Sequence, residues 1–344
     1  MDTHFQTLQR VDHNPLLTID DITWDYKKNR SIMFPSVIDM SDKLETPIDR
    51  YYMYLASHGG REIGFATAPA LEGPWAIQND PVLHLDNCPS AAGHLSSPEI
   101  IFYNNRFILY YHGNCPDEVL AQQNRQMPTH FYHRIQNSGA ATSTDGIHFD
   151  VHPNPLLLSI RTPDHWRVAT NMYLRVIPTE AGCHGFFMTM SREEADYNGI
   201  THSLSKDQRA SRPHPTSIAH AWSPDGLDWT IDKTGPILTA EESYGEYHRI
   251  RHIGLTRIDD THILATYSCF ANAEETRENI FAATLQIEGQ NVRVVQKYGT
   301  ILSPEADWEN GNLRDPFPMF HDEKLYLYYA GGREKGIGLA ISKT

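Results

Sequence analysis

Cysteine is scarce in this chain of 344 residues: four of them, Cys88, Cys115, Cys183 and Cys269, stand far apart with no C-x-x-C spacing. Neither a zinc site nor a disulfide framework is signalled, and free thiols fit a reducing compartment. Basic residues are also few, 29 Lys and Arg against 43 Asp and Glu, for a formal net charge of -14. Wrapping a polyanion requires clustered Lys and Arg, so nucleic acid is not an expected partner. No apolar run is long enough for a membrane span, and "MDTHFQTLQRVDHNPLLTIDDITW" has an early acid and no basic segment leading into an apolar core. Neither a membrane nor a secretory leader is expected, and the location expected is cytoplasmic. P-loop and H-E-x-x-H patterns are missing, and "GGREKGIG" joins two strand-like runs with no helix after it, so it reads as a turn. Helical periodicity longer than about a dozen residues is hard to find.

What remains is strand after strand. A hydrophobic fraction of 40% supplies a sizeable core, and short apolar runs rich in β-branched and aromatic residues alternate with Gly, Pro, Asn and Asp. Three pieces recur. The first is an apolar strand, a polar turn and an aromatic-rich strand, as in "SSPEIIFYNNRFILYYHG" and "RDPFPMFHDEKLYLYYAG"; the second is a strand of small residues, as in "GAATSTDGIHF" and "IAHAWSPDGLDW"; the third is an outer strand, as in "DVHPNPLLLS". The first two occur five times and the third four times, and the missing copy precedes the first repeat as "QTLQRVDHNPLLT" (6–18). This pattern predicts an all-β five-bladed β-propeller with blades at about 31–85, 95–159, 167–240, 249–303 and 312–344, the last completed by 6–18 so that the ring closes without exposed edges. A β-sandwich or two small all-β domains is the alternative. Long inserts at about 114–137 and 192–216 sit where binding loops are expected.

In a propeller the first strand of each blade lines the central channel, so its leading residues converge on one mouth. Aligned on their turns, the repeats bring Phe34-Pro35, Ser97-Pro98-Glu99, Thr170-Asn171, Arg251-His252 and Arg314-Asp315-Pro316 to that mouth, with His58 and His112 at matching places on the second strands. Asp315 and Glu99 are the candidate catalytic carboxylates; Asp39 lies deeper. Histidine, 19 in all, titrates near neutral pH and serves as acid, base or metal ligand, so His252 and His112 join the catalytic candidates and His58 and His94 the substrate-binding ones. Arginine pairs with carboxylate or sulfate through its planar fork. Arg251 and Arg314 are expected at the substrate, with Arg61 and Arg333 in two equivalent "GGRE" turns, Asn171 and Tyr111 as further contacts. Each of these also has a plain structural reading, as a core hydrogen bond or an ion pair.

The motifs "SSPEIIFYNNRFILYYHG", "HAWSPDGLDWT", "ALEGPW" and "RDPFPMFHDEKLYLYYAGGREKGIGLA" resemble those of the five-bladed propeller glycosidases, glycoside hydrolase family 43 and its relatives in families 32, 117 and 130. The resemblance spans all five blades. It implies a funnel that takes the end of a sugar chain, and acid and base carboxylates, one of them an Asp before Pro in blade 1. Here that position is Phe34. His252 with Asp315 would be an acid and base across adjacent blades, as family 117 is similar in using a His. Three functions follow: exo-hydrolysis of short oligosaccharides; β-elimination on a uronic acid, with a His or a Tyr such as Tyr111 as base and Arg neutralising the carboxylate; or glycan binding without catalysis. No cofactor is required. A divalent cation in the central channel, near His58 or His112, stays open as in the resembling families, and so does a homodimer formed through the two inserts.

Overall fold

A computed structural model describes residues 7–24, 30–116, 136–157, 166–191, 215–274 and 277–343, with the side chains of 167–169 set aside. Most of the two inserts flagged by the sequence, at 117–135 and 192–214, and the dimer contact expected of them, lie outside these residues. Two short N-terminal strands come first, β1 (Leu8–Arg10) and β2 (Leu17–Thr18). Blade 1 is β3 (Met33–Asp39), β4 (Tyr51–Ala56), β5 (Glu62–Ala68) and β6 (Ala76–Ile77), with β7 (Leu83–His84) also on β5. Blade 2 is β8 (Ala92–Tyr103), β9 (Arg106–Asn114), β10 (Gln136–Ser143) and β11 (Asp150–Val151). Blade 3 is β12 (Arg167–Thr179), β13 (Gly182–Ser191), β14 (Ser217–Ser223) and β15 (Thr230–Ile231). Blade 4 is β16 (Tyr247–Arg257), β17 (His262–Phe270), β18 (Glu278–Glu288) and β19 (Asn291–Leu302); blade 5 is β20 (Arg314–His321), β21 (Lys324–Gly331) and β22 (Gly336–Ser342).

All pairings are antiparallel, and the first strands β3, β8, β12, β16 and β20 pack against one another in order, β20 returning to β3. The ring closes as the repeat count predicts. β1 pairs with β22 in the register Leu8 to Ser342 and Arg10 to Ala340, and β2 adds to the same strand through Leu17 and Ile337. Arg10 also ties the closure ionically, its Nε 2.6 Å from Glu309 Oε1.

The recurring sequence pieces have distinct packing tasks. Tyrosines of the second strands lock blades 1, 2 and 5 each to the next: Tyr54 donates to the Gly146 carbonyl, Tyr110 to Gly226 (2.9 Å) and Tyr328 to Leu71 (2.7 Å). The two acceptor glycines belong to S-x-D-G turns in which Asp145 and Asp225 accept from the following backbone amides at 2.8 Å, the local hydrogen bonding that favours Asp there. Small residues make room for indoles. A side-chain carbon on Gly64 would fall 2.1 Å from Trp24, and one on Gly185 2.5 Å from Trp229. Over fifty buried residues of the core run together as one continuous apolar cluster through the blades.

Candidate active site at the propeller mouth

Five repeats of one local device build the mouth. Near its start each first strand slips its pairing with the second strand, between Met33 and Ser36, Ser96 and Glu99, Ala169 and Met172, Arg251 and Gly254, and Arg314 and Phe317. Such a bulge bends the strand and re-aims its side chains. At each one a non-glycine residue is left-handed: Phe34 (φ 61°), Ser97 (50°), Thr170 (55°), His252 (49°) and Asp315 (50°). These are the positions that the repeat alignment brought together. A left-handed non-glycine residue costs of order 1 kcal/mol, so five of them converging on one axis are a concentration of strain of the kind found at functional sites.

Above them lies a cavity of about 330 Å³ lined by Phe34, His58, His94, His112, Tyr173 and Arg251, with Ser96, Gln136, Thr170, Met172 and Met190 around it. Tyr173, itself left-handed at φ 58°, is its centrepiece. Its ring stacks on Phe34 (5.6 Å between centroids) and meets His112 (4.9 Å) and His252 (4.4 Å) edge-on. Arg251 donates to its hydroxyl, and burial, ahead of any charge, raises its pKa, so the phenol keeps its proton. His112 is buried, and its Nδ1 is bonded to the Ser97 hydroxyl, leaving Nε2 free of that partner. Burial, followed by the neighbouring His94 and His58, holds His112 well below its usual pKa, so it is neutral at pH 7. His58 is half exposed; its Nδ1 lies 3.2 Å from Glu334 Oε2, and that carboxylate raises its pKa. His94 is lowered by burial and by His58.

Beneath this wall sits an ionic cluster. Glu278, fully buried, takes Arg249 at 3.2 Å and Arg251 at 3.3 Å on Oε1 and Arg314 on Oε2. Burial would raise its pKa, but Arg251, Arg314 and Arg249 together pull it down to about 2. Arg249, crowded by burial and by Arg251, falls to about 10 and lies over the Phe270 ring at 4.5 Å. His252 Nδ1 approaches Asp315 Oδ1 to 3.2 Å, without the alignment of a full hydrogen bond. Burial pushes Asp315 up to about 7 against the pull of Arg314, while burial and the arginines hold His252 well below its usual value. With the carboxyl raised and the imidazole lowered, the proton of this pair near neutral pH belongs to Asp315, and His252 is neutral.

The structure gathers eight of the sequence candidates around the mouth and sets four apart. His58, His94, His112 and Arg251 line the cavity; His252, Asp315 and Arg314 lie behind it, with Arg333 in an adjoining pocket. Glu99 sits deeper in the channel. Its carboxylate accepts from Arg175 (2.7 Å) and from Ser36 Oγ (2.9 Å), and Arg175 also donates to the Pro98 and Ile253 carbonyls, bracing blades 1 to 4. Asn171 donates to the Leu157 carbonyl at 3.0 Å, and Tyr111 bonds Ser90 Oγ at 2.8 Å inside the blade. Arg61 pairs with Asp86, and Asp39 with Arg50. Sequence reading passed over Tyr173, Glu278, Arg249 and Glu334. Tyr173 carries a signal only in hindsight, three residues beyond the Thr170 bulge position; "RIRHIG" spaces its arginines on one strand face, but Glu278 reaches them from β18, which no spacing reveals. Among the described residues no group of three His, Cys, Asp or Glu side chains is placed to hold a metal ion.

No family model matches the chain. It is 24% identical over 362 residues to an uncharacterized protein of Acanthamoeba polyphaga mimivirus, covering 95% of this chain and 88% of that one. Solved structures of similar fold include a glycoside hydrolase (15% identical, TM-score 0.64, 94% and 90% covered) and a thermostable family-43 glycoside hydrolase (14%, 0.58, 93% and 91%). A third comes from the family-130 mannoside phosphorylases, which contain glycoside hydrolases that target β-1,2-mannosidic linkages in Candida mannan (14%, 0.64, 99% and 95%). At these identities the likeness is one of fold: the five-bladed propeller of the glycoside hydrolases.

Proposed function

We propose that this protein is a carbohydrate-active enzyme that takes the acidic end of a short oligosaccharide into the propeller mouth and cleaves its terminal glycosidic bond. The observation that carries the proposal is charge. In a chain of net charge -14, Arg249, Arg251 and Arg314 converge behind the mouth on Glu278, with Glu334 pairing Arg314 on its other side, Asp315 held partly protonated by burial and His58 raised in pKa. A locally cationic pocket on an acidic protein selects an anionic ligand, and Arg251 reaches the cavity wall. The propeller glycosidases make a sugar chain the natural ligand, by analogy of fold.

The groups on the cavity wall suit β-elimination on a uronic acid. Arg251 neutralises the carboxylate of a reducing-end uronate that carries the preceding sugar on O4 and acidifies its C5 proton; neutral His112 accepts that proton; the electron pair becomes the C4–C5 double bond as the C4–O bond to the preceding sugar breaks; and Tyr173, which holds its own proton, protonates the departing oxygen. Hydrolysis is a second reading, favoured by Asp315, whose pKa of about 7 is that of a general acid at neutral pH, acting through His252.

The test is cleavage of neutral and uronate-ended oligosaccharides, following reducing ends and the absorbance of an unsaturated sugar together. Elimination predicts rising absorbance with uronates alone, falling roughly 10²- to 10⁴-fold in His112→Gln and Tyr173→Phe. New reducing ends without absorbance, lost in Asp315→Asn, would replace elimination by hydrolysis. Binding without cleavage would leave a glycan-binding propeller.

A further inference from the structure

Beside the mouth, between blades 4 and 5, a second pocket of about 480 Å³ is lined by Arg277, Asn310, Asn312, Arg314, Arg333 and Glu334. An ion pair links it to the first: Glu334, which lines this pocket, accepts from Arg314 on one oxygen and lies 3.2 Å on the other from His58, which lines the mouth. The pocket is built by two left-handed turns. Arg333 (φ 54°) and Glu334 (φ 72°) are consecutive left-handed residues in the hairpin between β21 and β22, and Asn310 (φ 49°) and Gly311 (φ 70°) form the other turn. The guanidinium of Arg277 lies over Gly311 so closely that a side-chain carbon there would fall 2.2 Å from its Nη1. Asn312 fastens the second turn to the core, its Oδ1 accepting from the Glu278 amide at 2.7 Å. One left-handed turn thus carries Arg333, and the other leaves room over Gly311 for Arg277, which precedes β18, so that both arginines line one hollow.

The charges in this hollow do not balance. Arg314 is taken up by Glu278 and Glu334, whereas among the described residues neither Arg277 nor Arg333 has an ion-pair partner; both are exposed at the pocket. The equivalent arginine of blade 1, Arg61, shows what an idle copy does: it pairs with Asp86 at the surface. Five arginines, 249, 251, 277, 314 and 333, therefore surround two ionised glutamates, and the surplus lies in the second pocket.

We infer that this pocket is a second anion subsite, which holds a carboxylate or sulfate on the sugar next to the one in the mouth, through Arg277 and Arg333. The inference rests on the proposed carbohydrate function and narrows it to oligosaccharides with anionic groups on two consecutive sugars. Arginine forks bind carboxylate and sulfate bidentately, and both side chains are solvent-screened, so affinity should fall as salt rises.

The experiment separates this inference from the function it rests on. Binding of inorganic sulfate and of D-glucuronate is titrated at low ionic strength by heteronuclear NMR of arginine side chains, in the wild type, in Arg277→Gln with Arg333→Gln, and in Arg251→Lys at the mouth. The expected result is perturbation of Arg277 and Arg333, affinity at least tenfold weaker in the double variant, and retention of that subsite in Arg251→Lys. Sulfate binding tighter than glucuronate there would identify a sulfated sugar, and the reverse a uronate. Equal affinity in wild type and double variant, with thermal stability unchanged, would overturn the subsite while leaving the mouth reading intact. Subsite binding in a protein that cleaves no oligosaccharide would sink the catalytic proposal and leave the subsite standing.

Discussion

Blades 1 and 5 carry nearly the same strand pair, "YYMYLASHGGREIGFATA" and "LYLYYAGGREKGIGLAIS", and fold it alike, yet they bring opposite chemistry to the same bulge. Blade 1 offers Phe34, stacked on Tyr173; blade 5 offers Asp315, buried against His252. Both precede a proline and both are left-handed and buried. The lesson is that the repeat fixes where a side chain goes, and the residue found there fixes what the place can do. The paired "GGRE" turns repeat the point, Arg61 quenched by Asp86 and Arg333 left facing a pocket.

The strongest way to break the contrast is to make blade 1 acidic. Phe34→Asp puts a carboxylate among Tyr173, His112 and His252 with no arginine bonded to it, and should cost about 3–5 kcal/mol as an uncompensated buried charge. Phe34→Leu, similar in chemistry, should cost less than about 1.5 kcal/mol. Denaturant midpoints of the two variants decide it; an equal loss would mean that shape alone matters at this position.

A pH titration sharpens the contrast from the blade 5 side. The folded pKa of Asp315, about 7, lies above its ordinary value of 3.8, so the native state binds the extra proton and its stability declines as pH rises from about 4 to 7. The opposite slope comes from His112 and His252, both held below 6.5, whose contribution is present above that pH and lost as pH falls. Asp315→Asn removes the first slope, worth up to about 4 kcal/mol, and leaves the second. Stability of the variant should then climb with pH between 4 and 6.5 more steeply than that of the wild type. Parallel profiles would show that Asp315 keeps an ordinary pKa.

The smallest effects belong to the twin arginines. Arg61→Gln and Arg333→Gln should each change stability by less than about 0.5 kcal/mol, the first because a largely exposed ion pair contributes little and the second because an exposed surface side chain does, and only Arg333→Gln should weaken anion binding. A matching loss of anion binding in Arg61→Gln would erase the distinction between the two turns.

Much of this architecture is written in the chain because blade repeats are local. Each strand, turn and hairpin depends on residues close in sequence, so the five copies, the displaced strand before the first and the five bulge positions could be aligned by eye. Contacts across the channel are another matter. Glu99 and Arg175 are 76 positions apart and His252 and Asp315 are 63 apart, and only assembly of the ring shows that the first pair braces the channel while the second meets behind the mouth. Tyr111 and Tyr110 are neighbours in one strand and both turn out to be structural, whereas Tyr173, in another blade, is the tyrosine that faces the cavity.

The sequence by itself determined that the chain is an all-β ring of five repeats closed by its own N-terminal strand, since those features follow from period, turn chemistry and the need to cover strand edges. Only the tertiary structure decided which of the candidate side chains share a site, which are neutral and which carry charge. Those properties depend on desolvation and on charges contributed by other blades, and both exist only once the blades have closed around the channel.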